Sequence, residues 1–147
     1  MYHKILLTYD GTIEGRCALR EGAEVARTFG AQTHLLAVIA AMPSLASPET
    51  ALPQIDFDQE EQVHRAILNE GVQILRDSGL TTEGHMAYGD PVDQISAHAA
   101  QLAVDLIVVG HRNRGRLERW WSGSVGRSLL DHTQCSVLVA VVRDVDG

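Results

Sequence analysis

The residues best suited to chemistry lie between Gly110 and Arg127, where five of the chain's twelve Lys and Arg residues gather beside a single acid, Glu118. The stretch reads Gly110-His-Arg-Asn-Arg-Gly115-Arg-Leu-Glu-Arg-Trp-Trp-Ser-Gly123-Ser-Val-Gly126-Arg127. The apolar run Leu106-Ile-Val-Val109 precedes it, and the helix-like segment Ser128-Leu-Leu-Asp-His132 follows. A strand, a basic glycine-rich loop and a helix start combine open backbone, unpaired N–H groups and positive charge, which is how proteins hold phosphates. Ser124 is placed to cap the helix and to offer its hydroxyl to a phosphate oxygen, at the end where the helix dipole favours an anion. Arg112, Arg114, Arg116 and Arg119 add charge, one or two of them to reach a β or γ phosphate and the others to stay solvated.

The positive patch is local. The chain as a whole carries a formal charge of −7 from 12 basic and 19 acidic residues; without this stretch the count is 12 − 5 = 7 against 19 − 1 = 18, a net of −11. Such a chain repels nucleic acid and anionic lipid at long range, so no nucleic-acid or membrane partner is expected and a small phosphorylated ligand fits better.

The loop must be positioned by a fold, and the elements follow from the apolar pattern. Ile5 to Tyr9 reads as a buried strand ended by the turn Asp10-Gly11. A helix begins near Thr12, with Ala18, Gly22, Val25, Ala26 and Phe29 on its inner face and Gly30 as its stop. Thr33 to Ile39 is strand-like. Residues 41 to 56 hold Pro43, Pro48 and Pro53, three of the four prolines, and are expected to form a long mobile loop. Val63, Ile67, Leu68, Gly71, Ile74 and Leu75 then define one face of a long helix. Thr82 to Tyr88 is a strand polar enough for a sheet edge. Asp90-Pro91 caps and starts a helix buried through Val92, Ile95, Ala99 and Leu102. Leu106 to Val109 and Val137 to Val142 are apolar strands, with a helix from Gly123 to about His132 between them.

This alternation predicts one domain over residues 1–147, an α/β fold with a single doubly wound five-stranded parallel sheet, order 3-2-1-4-5, and helices on both faces. Its ligand crevice lies outside the carboxyl ends of strands one and four, where the winding reverses, at Asp10-Gly11 and Gly110. The last strand is an apolar edge, and pairing Val137 to Val142 with the same strand of a second copy predicts a homodimer.

Other chemistry finds little support. There is no GxxxxGK[ST] phosphate loop, and Lys4, the sole lysine, sits at the wrong end of strand one for phosphate work. Sequence order supports no Ser-His-Asp or Cys-His arrangement. Cys17 and Cys135 lack CxxC spacing and read as reduced, mostly buried thiols. No two His have the spacing of a metal site on a helix, which argues against a metal held by the protein alone. His111 is open to two readings, a phosphate donor or a plain loop residue. Trp120 and Trp121 read as packing over the loop or at a dimer surface. The N-terminus lacks the features of a secretory signal and no run reaches membrane-span length, so cytoplasmic residence is expected.

With these residues in place, the chain resembles the universal stress proteins, small α/β domains of the adenine-nucleotide alpha-hydrolase-like fold, one branch of which binds ATP. That branch has a glycine, two residues, a glycine, nine residues, then glycine and Ser/Thr after strand four, a register that falls here on Gly110, Asn113, Gly123 and Ser124, followed by Val125. Asp10 matches the acidic residue near the adenosine, and Gly89-Asp90-Pro91 the start of helix three. The resemblance implies an ATP site of Thr8, Asp10, Val38, Val109, Gly110, Arg112, Asn113, Gly115, Gly123, Ser124 and Val125, with Mg2+ or Mn2+ carried by the phosphates. It implies a regulatory module of the stress response that acts on a protein partner. Asn113 departs from the pattern, standing where the family has glycine. Asn tolerates left-handed backbone, so the turn is kept, while its side chain must point away from the phosphates or contact them. Two alternatives remain open: a weak ATPase or phosphotransferase in the same pocket, and a nucleotide-free interaction dimer.

Overall fold

The computed structural model describes residues 1–39, 54–112 and 129–142. Its elements are β1 (Lys4–Thr8), α1 (Ile13–Phe29), β2 (Gln32–Ile39), α2 (Gln54–Asp77), β3 (Thr82–Tyr88), α3 (Pro91–Leu102), β4 (Leu106–Arg112) and β5 (Ser136–Val142). Residues 129–132 are also helical. The strands form one sheet of order β3-β2-β1-β4-β5, as the sequence predicts. All four pairings are parallel.

β1 lies at the centre, with Ile5 opposite both Thr33 of β2 and Leu106 of β4. Ile5, Leu6 and Leu7 are all fully buried. Alternation along the strand divides them between two cores. Ile5 and Leu7 pack with Leu19 of α1 and Leu68 and Leu75 of α2. Leu6 packs on the opposite face with Val92, Ile95 and Ala99 of α3 and with Leu129. Helices therefore cover both faces, α1 and α2 on one and α3 on the other.

Local chemistry sets the helix ends. Thr12 caps α1 by accepting from Gly15 N, and Gly30, at φ 62°, ends it in left-handed backbone. Asp90 caps α3, with its carboxylate accepting from Asp93 N at 3.1 Å and Pro91 at the first position. Three expectations change. Phe29, placed by periodicity on the inner face of α1, is 41% exposed and packs edge-on against Tyr2. Helix α2 begins at Gln54, so residues 54–56 are helical and not part of the expected loop, whose remainder falls outside the described residues. Val63, placed by periodicity on the buried face of α2, is 56% exposed, because the helix meets the core only from Ile67 onward. Cys17 and Cys135 are unbonded and half-buried, and burial raises both thiol pKa values. No helix among the described residues is long and apolar enough to cross a membrane.

The amino ends of β1 and β4 are tied by one carboxylate. Asp105 accepts from His3 N at 2.8 Å and Lys4 N at 3.1 Å, while its own N–H donates to Lys4 O at 2.9 Å. Charge-assisted bonds to partly exposed amides predict that Asp105→Ala lowers the unfolding free energy by about 1–2 kcal/mol. Urea denaturation of the two proteins checks this, with an unchanged midpoint counting against it.

Candidate functional site

The winding reverses between β1 and β4. From β1 the chain crosses over through α1 on one face, and it reaches β4 through α3 on the other. The carboxyl ends of the two strands are thus left uncovered, and a cleft of about 200 Å³ opens there. That volume is below the usual range for a whole drug-sized ligand, roughly 300–1,000 Å³, and suits one flat portion of a larger molecule.

Each wall has a local cause. Leu36 and Val38 point to the α3 face of β2 because they are two residues apart on a strand, and Val109 does the same from β4. Together they make an apolar floor. Pro91 and Ile95, one turn apart on α3, close one side, and Thr8, Asp10, Thr12 and Gly15 form the polar rim on the other. Thr8 Oγ1 donates to Val108 O at 3.4 Å, bridging the two strand ends.

Asp10 is exposed at this rim. Its Oδ1 accepts from Thr12 N at 3.0 Å and from the Thr12 hydroxyl, while Thr12 Oγ1 accepts from Gly15 N at 3.1 Å. The carboxylate is thus held against the start of α1 by one oxygen. Oδ2 accepts nothing from the described residues and is chemically suited to ligand hydroxyls. The turn that sets this geometry needs Gly11, whose φ of 82° few side-chain-bearing residues adopt.

Gly110 has a packing reason of its own. A Cβ there would lie 2.2 Å from Glu14 O and 3.2 Å from Ala18 Cβ. Glycine at this position lets the first turn of α1 rest directly on the end of β4, which brings the polar rim over the floor.

Behind the rim, Tyr9 is 3% exposed. Its hydroxyl donates to Glu70 Oε1 at 3.0 Å, and Arg16 donates to the same oxygen from Nη2 at 3.1 Å and Nε at 3.3 Å. This knot joins β1, α1 and α2. The Tyr9 hydroxyl and then Arg16 hold the Glu70 carboxyl below its ordinary value, whereas burial and then Glu70 push the Tyr9 phenol upward.

Of the residues expected at the site, Thr8, Asp10, Val38, Val109 and Gly110 line the one cleft. Arg112 ends β4, with its side chain outside the described residues. Asn113, Gly115, Gly123, Ser124 and Val125 also fall outside them, as do Trp120, Trp121 and the other arginines of the basic stretch. Sequence reasoning missed Tyr9, Thr12, Gly15, Leu36, Pro91 and Ile95. Alternation with Val38 could have found Leu36; Pro91 and Ile95 needed the placement of α3.

The fold and cleft define a doubly wound α/β domain with its site at the winding reversal. The sequence profile of the universal stress protein family matches residues 1–141. A similar relative is the universal stress protein YxiE of Bacillus subtilis, 27% identical over 146 residues, covering 95% of this chain and 99% of that protein. Among solved structures, an AMP-bound universal stress protein family member from Arabidopsis thaliana superposes with a TM-score of 0.68 at 20% identity, covering 97% of this chain and 93% of that one. The dAMP complex of the universal stress protein from Archaeoglobus fulgidus does so with a TM-score of 0.64 at 21% identity, covering 94% and 97%. The chain belongs to the universal stress protein family.

The depressed Glu70 pKa gives a signed prediction. A carboxylate stabilised in the folded state contributes fully above the unfolded value, ordinarily 4.5, and the contribution is lost as pH falls through the lower folded value. The stability advantage of the wild type over Glu70→Gln is therefore expected to hold near neutrality and shrink below that value. Urea midpoints for both proteins across the acid range measure it, and a gap that widens on acidification would contradict the assignment.

Proposed function

We propose that this protein is an ATP-binding regulatory module of the stress response, acting in the cytoplasm as a homodimer that modulates a protein partner. The observation that carries the reading is the cleft itself. It sets an apolar floor of Leu36, Val38 and Val109 beside an Asp10 oxygen that accepts nothing from the described residues. Adenosine needs both features, a flat apolar slot for the base and an acceptor for ribose hydroxyls. The relatives with AMP and dAMP bound support the same ligand class.

The polar end of the ligand follows from the chain's direction. Gly110 to Arg112 ends β4 beside the cleft and leads into the basic stretch. There Asn113, Gly115, Gly123, Ser124 and Val125, with the arginines, are the residues that would hold the phosphates. Mg2+ or Mn2+ would arrive with them. Bound phosphate charge supplies the energy for a change in loop order that a partner can read.

Dimerisation is supported by β5. It is the edge strand of the described sheet and is apolar from Val137 to Val142, with Val137, Leu138, Val139 and Val141 only half-buried in one chain. A second copy paired along this edge would satisfy the open backbone groups and cover those side chains.

Titration calorimetry with ATP, AMP and cyclic AMP tests the ligand. ATP is expected to bind, and Asp10→Ala to weaken it by about tenfold, the size of one lost hydrogen bond to a charged group. Absence of heat at millimolar ATP would remove the nucleotide reading. Sedimentation velocity tests the assembly separately: the wild type is expected to run as a dimer and Val141→Lys, which places a charge on the edge, as a monomer. A monomeric wild type would refute the pairing.

A further inference from the structure

At the other end of the α3 face, three side chains that the sequence leaves far apart come together. His34 of β2 stands opposite Glu83 of β3, and His85 lies two residues further along the same face. His34 Nδ1 is 3.0 Å from His85 Nε2 and 3.7 Å from Glu83 Oε2. The three donor atoms all lie within 4.8 Å of one another. His34 is 4% exposed, whereas the Glu83 side chain is 68% exposed.

As core packing this cluster is poorly justified. A buried imidazole would be well served by a carbonyl or hydroxyl, and the neighbouring buried pair Thr33 and Thr82 shows that these strands can meet through hydroxyls at 2.6 Å. His34 is instead bonded to a second imidazole, with a carboxylate just beyond hydrogen-bonding distance. The His–His bond uses the N–H of one ring and occupies the lone pair of the other, which is otherwise suited to a metal.

We propose that His34, Glu83 and His85 form a binding site for a divalent transition-metal ion of the zinc class. In a tetrahedral site with metal–ligand bonds of about 2.0–2.2 Å, neighbouring ligand atoms stand roughly 3.3 Å apart. The observed separations of 3.0 and 3.7 Å bracket that edge and the third is no more than 4.8 Å, so modest side-chain movements bring the three ligands to it. Two imidazoles and one carboxylate favour Zn2+ over the oxygen-seeking Mg2+ and Ca2+. The neutral imidazole is the form that ligates a metal. On binding, the ring that donates in the His34–His85 bond moves its proton to its other nitrogen, and both rings stay neutral.

The surroundings fit an ion with an open position. Exposed Glu83 provides the way in from solvent. His98 of α3 stands behind the site, its ring centroid 6.1 Å from that of His85. Its Nδ1 donates to Gln94 O at 2.8 Å, which leaves Nε2 as the acceptor nitrogen of that ring. Lys4 is engaged with Leu102 O at 3.3 Å. Because the ligands sit on paired strands, they are positioned more rigidly than loop residues would be.

Zinc titration of the untagged full chain tests the proposal, with Co2+ as the spectroscopic probe and Mg2+ as the comparison. One equivalent of Zn2+ is expected to bind and raise the thermal midpoint, and Co2+ to show the visible absorption of tetrahedral coordination. His85→Ala and Glu83→Gln are each expected to weaken Zn2+ binding by at least about tenfold and to abolish the Co2+ band, whereas His64→Ala, on exposed α2, leaves both unchanged. Circular dichroism of the variants confirms that they fold, which is why buried His34 is not the residue replaced. Zinc affinity that is the same in wild type, His85→Ala and Glu83→Gln would overturn the site, as would absence of binding at micromolar Zn2+. No cleft residue contributes a ligand, so failure of ATP binding leaves this result standing, and the converse holds.

Discussion

A parallel strand buried on both faces has no side to offer a ligand, and the protein's chemistry is forced to strand ends by that constraint. In β1, Ile5, Leu6 and Leu7 are fully buried, and the strand pairs with β2 on one side and β4 on the other. Its main-chain groups and side chains are all committed to the fold. What remains is the carboxyl end, where α1 leaves to one face while α3 serves the other, so that neither helix closes the gap between β1 and β4. The position of the cleft is therefore a consequence of how the core is filled.

The shape of that cleft depends on close approach. Glu14 O of α1 comes so near the end of β4 that only glycine can stand at position 110. Read as sequence, Gly110 is the first glycine of a phosphate loop; in the fold it is also the contact that seats α1. The two roles are compatible, since a backbone without Cβ serves packing and ligand approach alike. Asp10 likewise has a structural part, holding Thr12 and the start of α1 through one oxygen, while the other accepts nothing from the described residues. The Tyr9, Glu70 and Arg16 knot stiffens the same corner from behind by joining three elements at a single carboxylate oxygen.

The two ends of the α3 face differ in how they treat polar groups. At the carboxyl end Asp10 remains at the rim, where water solvates its charge. Toward the amino end, His34 is buried with His85 beside it, and both rings are driven toward neutrality because a desolvated charge costs more than the lost protonation. The pair joins β2 to β3, and His34 stands just two residues from Leu36 of the cleft floor.

The sequence by itself determined what depends on local chemistry. The start of α1 near Thr12, its stop at Gly30 and the Asp90-Pro91 start of α3 are legible because each is set within a few residues, and the strand order because apolar runs alternate with helical patterns along the whole chain. Among the cleft-lining residues, Asp10 and Gly110 could be named in advance by their places at strand ends, and Thr8, Val38 and Val109 by the resemblance to the universal stress proteins. Only the tertiary structure decided where α2 begins to touch the core, which left Val63 exposed despite its place in the periodic pattern. It alone brought Pro91 and Ile95 to the cleft, because helix position depends on packing across the sheet. It alone joined His34 to a partner 51 residues away, since strand register, a property of the whole sheet, determines which distant side chains meet.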